Sequence, residues 1–137
     1  MFEKFQFSEN QIQQYYKSAL RDFKIARSSD VPEVIFRFCY DSLIKLAISF
    51  CAVNGLRVKA RQGHHWELIQ KLADYLKDKE IEILVNEMRG KKNWDLYGGG
   101  AIISEKEARE YVVFAKSIFK KAEDYLHKRF SKQLKLS

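Results

Sequence analysis

The residues with the clearest chemical potential lie near the end of one predicted helix. Arg89, Lys91 and Lys92 stand close together, and Asn93 and Tyr97 follow them. Arginine and lysine can hold a phosphate and stabilise negative charge that builds on it. Asparagine can orient a ribose hydroxyl, and tyrosine can donate a hydrogen bond. The segment therefore predicts a site directed at phosphate.

A purely structural interpretation uses the same segment. Cations are favourable in the last turn of a helix, because the helix dipole is negative there. Trp94 and Tyr97 would then pack against the core, and Gly98 to Gly100 would end the helix. The three glycines do not form a phosphate-binding loop, because they precede no Gly-Lys-Ser/Thr signature and follow no predicted strand. Composition alone leaves both interpretations open.

A second group of polar residues begins with His64 and His65. Neighbouring histidines on a helix point about 100° apart, so the pair is not expected to chelate one metal. We expect one ring to cap the helix start and the other to pack, with Trp66 and Ile69 in the core. These residues predict no metal site and no cofactor.

The two cysteines, Cys39 and Cys51, lie on one predicted helix. Twelve helical residues separate them by about 18 Å, which is far beyond the reach of a disulfide. Both lie in apolar runs, so we predict two core thiols.

The elements that must position these residues all carry helical patterns. Ser8 and Gln11 predict a capping box at the start of a helix over residues 9–28. Pro32 marks the start of a second helix that is apolar on several faces, and Asn54-Gly55 predicts its end. We predict this second helix to be the most buried one.

Further along the chain, a basic connector over residues 55–63 leads to a short helix that carries Trp66. Asp78 is the predicted cap of the next helix, which runs to Tyr97. A second capping box, at Ser104 and Glu107, opens a long last helix. No strand-like alternation is visible, so the prediction is an all-α, up-and-down antiparallel bundle of four to five helices.

Length and composition agree with a single domain over residues 1–137. Apolar residues make up 46% and charged residues 31% of the chain, as in ordinary globular proteins. The longest uncharged stretch, Leu46 to Leu56, is too short to cross a bilayer. We therefore expect a soluble cytoplasmic protein. The net charge of +7 favours a polyanionic partner such as RNA.

The order of the motifs resembles the HEPN domain family of small helical bundles from prokaryotic toxin–antitoxin and defence systems. The Tyr-Asp-Ser-Leu-Ile-Lys-Leu-Ala pattern over residues 40–47 precedes a Gly-His-His segment at 63–65. Met-Arg-x-x-Lys-Asn-x-x-x-Tyr-Gly follows over residues 88–98. The resemblance covers roughly residues 10–128. It implies a HEPN-like core over about 8–130, with a basic tail at 131–137, and it implies a homodimer.

Many HEPN proteins are metal-independent endoribonucleases. Their signature is an arginine, usually followed by asparagine, with a histidine four to six positions after the arginine. When Asn93 is aligned with that asparagine, Lys92 replaces the arginine and Tyr97 replaces the histidine. When Arg89 is taken as the arginine, no histidine follows at the required distance. Lysine keeps the charge but loses the bidentate fork, and tyrosine loses the near-neutral pKa.

The resemblance and the charge together predict an endoribonuclease or RNA-binding protein that acts as a dimer. The expected catalytic residues are Arg89, Lys92, Asn93 and Tyr97. The expected nucleic-acid-binding residues are Lys91, Arg57, Lys59, Arg61 and His64.

The alternative is a non-catalytic HEPN-like module that binds a nucleotide or pairs with a minimal nucleotidyltransferase. Tyr97 would then be the hydroxyl that the partner enzyme modifies. A third possibility is a bundle whose function lies only in dimerisation or docking. It predicts nothing beyond salt-sensitive, sequence-independent binding of nucleic acid.

Overall fold

A computed structural model describes residues 2–58, 64–97 and 103–130, except for the side chains of residues 94–97 and 130. The predicted all-α bundle is confirmed, and the described residues contain five helices and one small sheet. In chain order the elements are β1 (Phe2–Lys4), α1 (Glu9–Ser28), α2 (Pro32–Val53), β2 (Leu56–Val58), α3 (His65–Leu76), α4 (Lys79–Tyr97) and α5 (Glu105–Phe130).

Local hydrogen bonds set the helix ends as predicted. At the start of α1 the hydroxyl of Ser8 accepts from the amide of Gln11 at 3.1 Å, and the Gln11 side chain accepts from the Ser8 amide at 3.0 Å. Ser104 and Glu107 repeat this capping box before α5. Gly55 turns the chain after α2 with a φ of 73°, a conformation that favours glycine.

Helix α2 is the centre of the bundle, as its apolar pattern predicted. It packs against α1, α3 and α5, and both cysteines are buried on it. Burial raises the pKa of Cys39 to about 12, and burial also raises that of Cys51 to about 12 despite the opposing charge of Lys71. Asp22 of α1 is buried as well, and it pairs with Lys45 of α2 at 2.7 Å. This ion pair ties α1 to the central helix.

The prediction of a chain without strands is wrong at two short segments. β1 and β2 pair antiparallel, with Phe2 opposite Val58 and Lys4 opposite Leu56. Part of the predicted basic connector is therefore a strand. Three residues are too few for a period of two to be visible, and the pairing partner is more than fifty residues away in sequence.

The placement of Trp66 in the core is also wrong, since 38% of this residue is exposed. Its neighbours Leu68, Ile69 and Leu72 form the buried stripe of α3 instead. Among the helices that the structure describes, none is long and apolar enough to cross a membrane.

Candidate functional site

Helices α2, α3 and α4 bring five polar or charged side chains together at one place. Tyr40 and Asp41 come from α2, His65 is the first residue of α3, and Arg89 and Lys92 come from α4. We call this group the His65 cluster. It joins residues that are far apart in sequence, so it depends on the packing of all three helices.

His65 is held by the hydroxyl of Tyr40. The Tyr40 oxygen lies 2.8 Å from Nδ1 of His65, and the two ring centroids are 5.6 Å apart. Tyr40 is fully buried, and burial raises its pKa, with Arg89 opposing and Asp41 adding to this effect. The hydroxyl therefore stays protonated. Because it can donate or accept, it can hold either tautomer of the imidazole and leaves Nε2 for proton exchange.

The surroundings of His65 favour its neutral form. Burial lowers its pKa, and the charges of Lys92 and Arg89 lower it further, whereas Asp41 acts in the opposite direction. A histidine with a lowered pKa is uncharged near pH 7 and can accept a proton. This property is the one that a general base requires.

Lys92 supplies the charge closest to His65 and Tyr40. Its Nζ lies 3.3 Å from a carboxylate oxygen of Asp41 and 4.9 Å from the centre of the Tyr40 ring. The Lys92 side chain is 18% exposed and that of Asp41 is 39% exposed. The ammonium group is therefore positioned by the protein while the cluster stays open to solvent.

Arg89 lies one turn before Lys92 on α4. Its Nε donates to the side-chain oxygen of Asn86 at 3.0 Å, and its guanidinium lies 5.8 Å from the centre of the Trp66 ring. The partly exposed indole of Trp66 on α3 therefore makes a cation–π contact with Arg89. Arg89 and Lys92 together provide two cations around His65.

Lys91 does not join this cluster. Its Nζ donates to Glu107, donates to the hydroxyl of Tyr111 at 2.7 Å, and lies 3.5 Å from Glu87. Burial lowers the pKa of Lys91, but the hydrogen bonds and charges of Glu107 and Tyr111 outweigh burial and raise it overall. These contacts favour a structural role in which Lys91 joins α4 to α5.

The other predicted site residues fall in three places. Asn93 is exposed on α4, one residue after Lys92, and the side chain of Tyr97 lies outside the described part of the chain. Arg57 and His64 line the same cavity, of about 320 Å³, which His65 also lines. Lys59 and Arg61 lie outside the described residues. His64 occupies the N-cap position of α3 but makes no side-chain capping bond.

Sequence reasoning missed His65 as a member of the phosphate-directed site. A signal was present, because His65 precedes Leu68, Ile69 and Leu72 by three, four and seven positions. That spacing places the imidazole on the inward stripe of α3. The meeting of this stripe with Lys92 could not be foreseen, since it depends on how α3 and α4 pack against α2.

Comparison of the chain with models of protein families, with curated proteins and with solved structures finds no match in any of the three. Within the described ranges, no group of three or more histidine, cysteine, aspartate or glutamate side chains is arranged to hold a metal ion. What the His65 cluster can do is one proton exchange at an imidazole beside two cations. This combination suits proton transfer next to a phosphate.

Proposed function

We propose that the protein is a HEPN-like endoribonuclease of a toxin–antitoxin or defence system that cleaves RNA in the cytoplasm without a metal ion. One observation carries the proposal. The imidazole of His65 lies 2.8 Å from the Tyr40 hydroxyl, and the Nζ of Lys92 lies 4.9 Å from the centre of the Tyr40 ring. The charges of Lys92 and Arg89 on α4 both act on this imidazole of α3. In this proposal, His65 on α3 takes the role of the histidine that the segment over residues 89–97 lacks.

The reaction uses the 2′-hydroxyl of the RNA as its nucleophile. His65 takes the proton of this hydroxyl, and the oxygen attacks the adjacent phosphorus. The bond from phosphorus to the 5′-oxygen breaks, and that oxygen receives a proton, with Tyr97 as the proposed donor. The products are a 2′,3′-cyclic phosphate and a 5′-hydroxyl end. Lys92 and Arg89 stabilise the charge on the phosphorane, and Asn93 orients the ribose.

The proposal includes the homodimer that the HEPN resemblance implies. Its support is two exposed apolar side chains that a partner chain would bury, because Ile83 on α4 is 66% exposed and Val113 on α5 is 70% exposed. Light scattering on the full chain tests this part. A mass of two chains is expected, and a monomer at working concentration would contradict it.

The first test is cleavage of a mixed RNA pool in the presence of EDTA. We expect the wild-type protein to cut the pool and to leave 2′,3′-cyclic phosphate ends. The His65→Ala variant should lose activity by about a hundredfold or more, because it lacks the general base. The matched control is His127→Ala, since His127 lies exposed on α5. Equal activity of wild type and His65→Ala would disprove the assignment.

A second candidate function is the non-catalytic module that pairs with a minimal nucleotidyltransferase. The favouring observation is that Lys92 already has the Asp41 carboxylate 3.3 Å away, so a phosphate must compete for it. Co-expression with such an enzyme, followed by intact mass measurement, tests this candidate. Addition of a nucleotide to the wild type but not to Tyr97→Phe is the expected result. An unchanged mass of the wild-type chain would exclude it.

A further inference from the structure

A cavity of about 320 Å³ opens beside the His65 cluster and has no part in the reaction described above. Its walls come from α1, α2, β2 and α3, and include Tyr15, Ile48, Arg57 and His64. His65 lines the cavity as well and contacts Tyr40. The cavity and the cluster therefore share one side chain.

His64 gives this cavity an unused polar group. Both ring nitrogens of His64 are enclosed by protein, and neither has a hydrogen-bond partner in the described part of the chain. A ligand in the cavity therefore reaches them when the ring turns toward it. Enclosed polar atoms are nearly always paired in folded proteins. A neutral imidazole has one donor and one acceptor, so the ligand that satisfies it must carry both kinds of group.

Two aromatic rings and a guanidinium form part of the lining of the cavity. Phe7 and Tyr15, both in its lining, pack edge to face with centroids 5.7 Å apart. The guanidinium of Arg57 lies 4.4 Å from the centre of the Phe5 ring and pairs with Glu3. Tyr15 is 38% exposed and Phe5 is 37% exposed. Aromatic side chains beside a cation are typical of surfaces that bind single-stranded nucleic acid.

We infer that this cavity binds one nucleobase of the RNA, next to the phosphate held at the His65 cluster. A base has flat apolar faces for Ile48 and Tyr15, and an edge of donors and acceptors for His64. The volume lies at the lower end of the range for ligand pockets, about 300–1,000 Å³, which suits one nucleoside. The identity of this ligand as part of an RNA rests on the proposed function.

Binding of free nucleosides tests the inference without any phosphate. Adenosine, guanosine, cytidine and uridine are titrated separately into the full chain, and the dissociation constants are measured by ligand-observed NMR. We expect saturable binding of at least one nucleoside. His64→Phe, which keeps a ring but removes both nitrogens, should weaken it by about tenfold. Ile48→Trp, which fills the cavity, should abolish it.

Two exposed positions, His127 on α5 and Ile25 on α1, supply the matched controls. His127→Phe and Ile25→Trp repeat the same changes of side chain outside the cavity, and nucleoside binding should be unchanged in both. Absence of saturable binding for all four nucleosides overturns the inference. An equal dissociation constant in the wild type and His64→Phe also overturns it, even where Ile48→Trp does not fold.

The inference and the proposed function can fail separately. Nucleoside binding together with no RNA cleavage supports the cavity and overturns the proposed function. RNA cleavage without nucleoside binding supports the proposed function and overturns the inference about the cavity. Where both hold, RNA hexamers that differ at one base should be cut fastest next to the base whose nucleoside binds most tightly.

Discussion

Lys91 and Lys92 are adjacent in sequence, yet they contact different parts of the molecule. Lys91 lies among Glu87, Glu107 and Tyr111 and joins α4 to α5. Lys92 points to α2 and lies beside Tyr40 and Asp41. Successive residues on a helix point about 100° apart, so one basic run divides between two surfaces. A cluster of charges in sequence is therefore not necessarily a cluster in space.

The largest difference between the two lysines is expected in RNA cleavage. Lys92→Ala should reduce the rate by about a hundredfold, because it removes a cation that stabilises the phosphorane. Lys91→Ala should leave the rate within about twofold, because that ammonium lies outside the His65 cluster. Single-turnover cleavage in EDTA measures both variants. Equal losses would show that the two lysines do not differ in function.

The pH dependence of cleavage should report the lowered pKa of His65. A general base must be neutral, so the rate should stay constant down to about pH 6.5 and fall about tenfold per unit below the pKa of His65. Below about pH 6.5 the unfolded chain binds a proton more readily than the folded chain, because the pKa of His65 is lowered only in the folded state. The free energy of unfolding should therefore decrease as the pH is lowered. Rate profiles and denaturant titrations check both. A rate that already decreases at pH values above 7 as the pH is lowered would contradict this assignment.

A smaller effect is expected at the residue that positions the imidazole. Tyr40→Phe removes the hydroxyl 2.8 Å from Nδ1 of His65 but keeps the ring beside Lys92. Cleavage should fall by about five- to tenfold, and the acidic limb of the pH profile should shift. Tyr125→Phe removes a hydroxyl that bonds to Asn54 and is the matched control. A changed rate in the control with none in Tyr40→Phe would reject the positioning role.

The smallest expected effect is the loss of stability when the Lys91 side chain is removed. Lys91→Ala leaves Glu107 and Tyr111 without their cation, so the free energy of unfolding should fall by about 1 kcal/mol. Lys116→Ala on the exposed face of α5 should change it by less than about 0.5 kcal/mol. Urea titration of both variants decides the matter. A loss in Lys116→Ala as large as in Lys91→Ala would argue against a structural role for Lys91.

Local signals predicted the helices well, because capping and burial act over a few residues. Ser8, Pro32, Gly55 and Ser104 each stand at a helix boundary that the structure confirms. The pairing of β1 with β2 escaped prediction, since neither three-residue strand has a pattern of its own. Tertiary pairing decided these two segments.

The candidate site could be predicted only in part. Arg89 and Lys92 follow from their residue types and spacing, and the structure places them together with His65. The contact of His65 with Tyr40 joins residues on two helices, so no local pattern contains it. The sequence predicts Lys91 and Lys92 in one basic site, although successive helical side chains point about 100° apart. Which of the two lysines faced the open cluster depended on packing.

A double-mutant cycle on cleavage tests most directly whether His65 and Lys92 form one site. The rates of wild type, His65→Ala, Lys92→Ala and the double variant are compared in EDTA. Residues that act on one reaction as a unit give strongly non-additive losses. We predict that the double variant is no slower than the slower single variant by more than about threefold. Fully additive losses, or no metal-independent cleavage by the wild type, would contradict a joint site of His65 and Lys92.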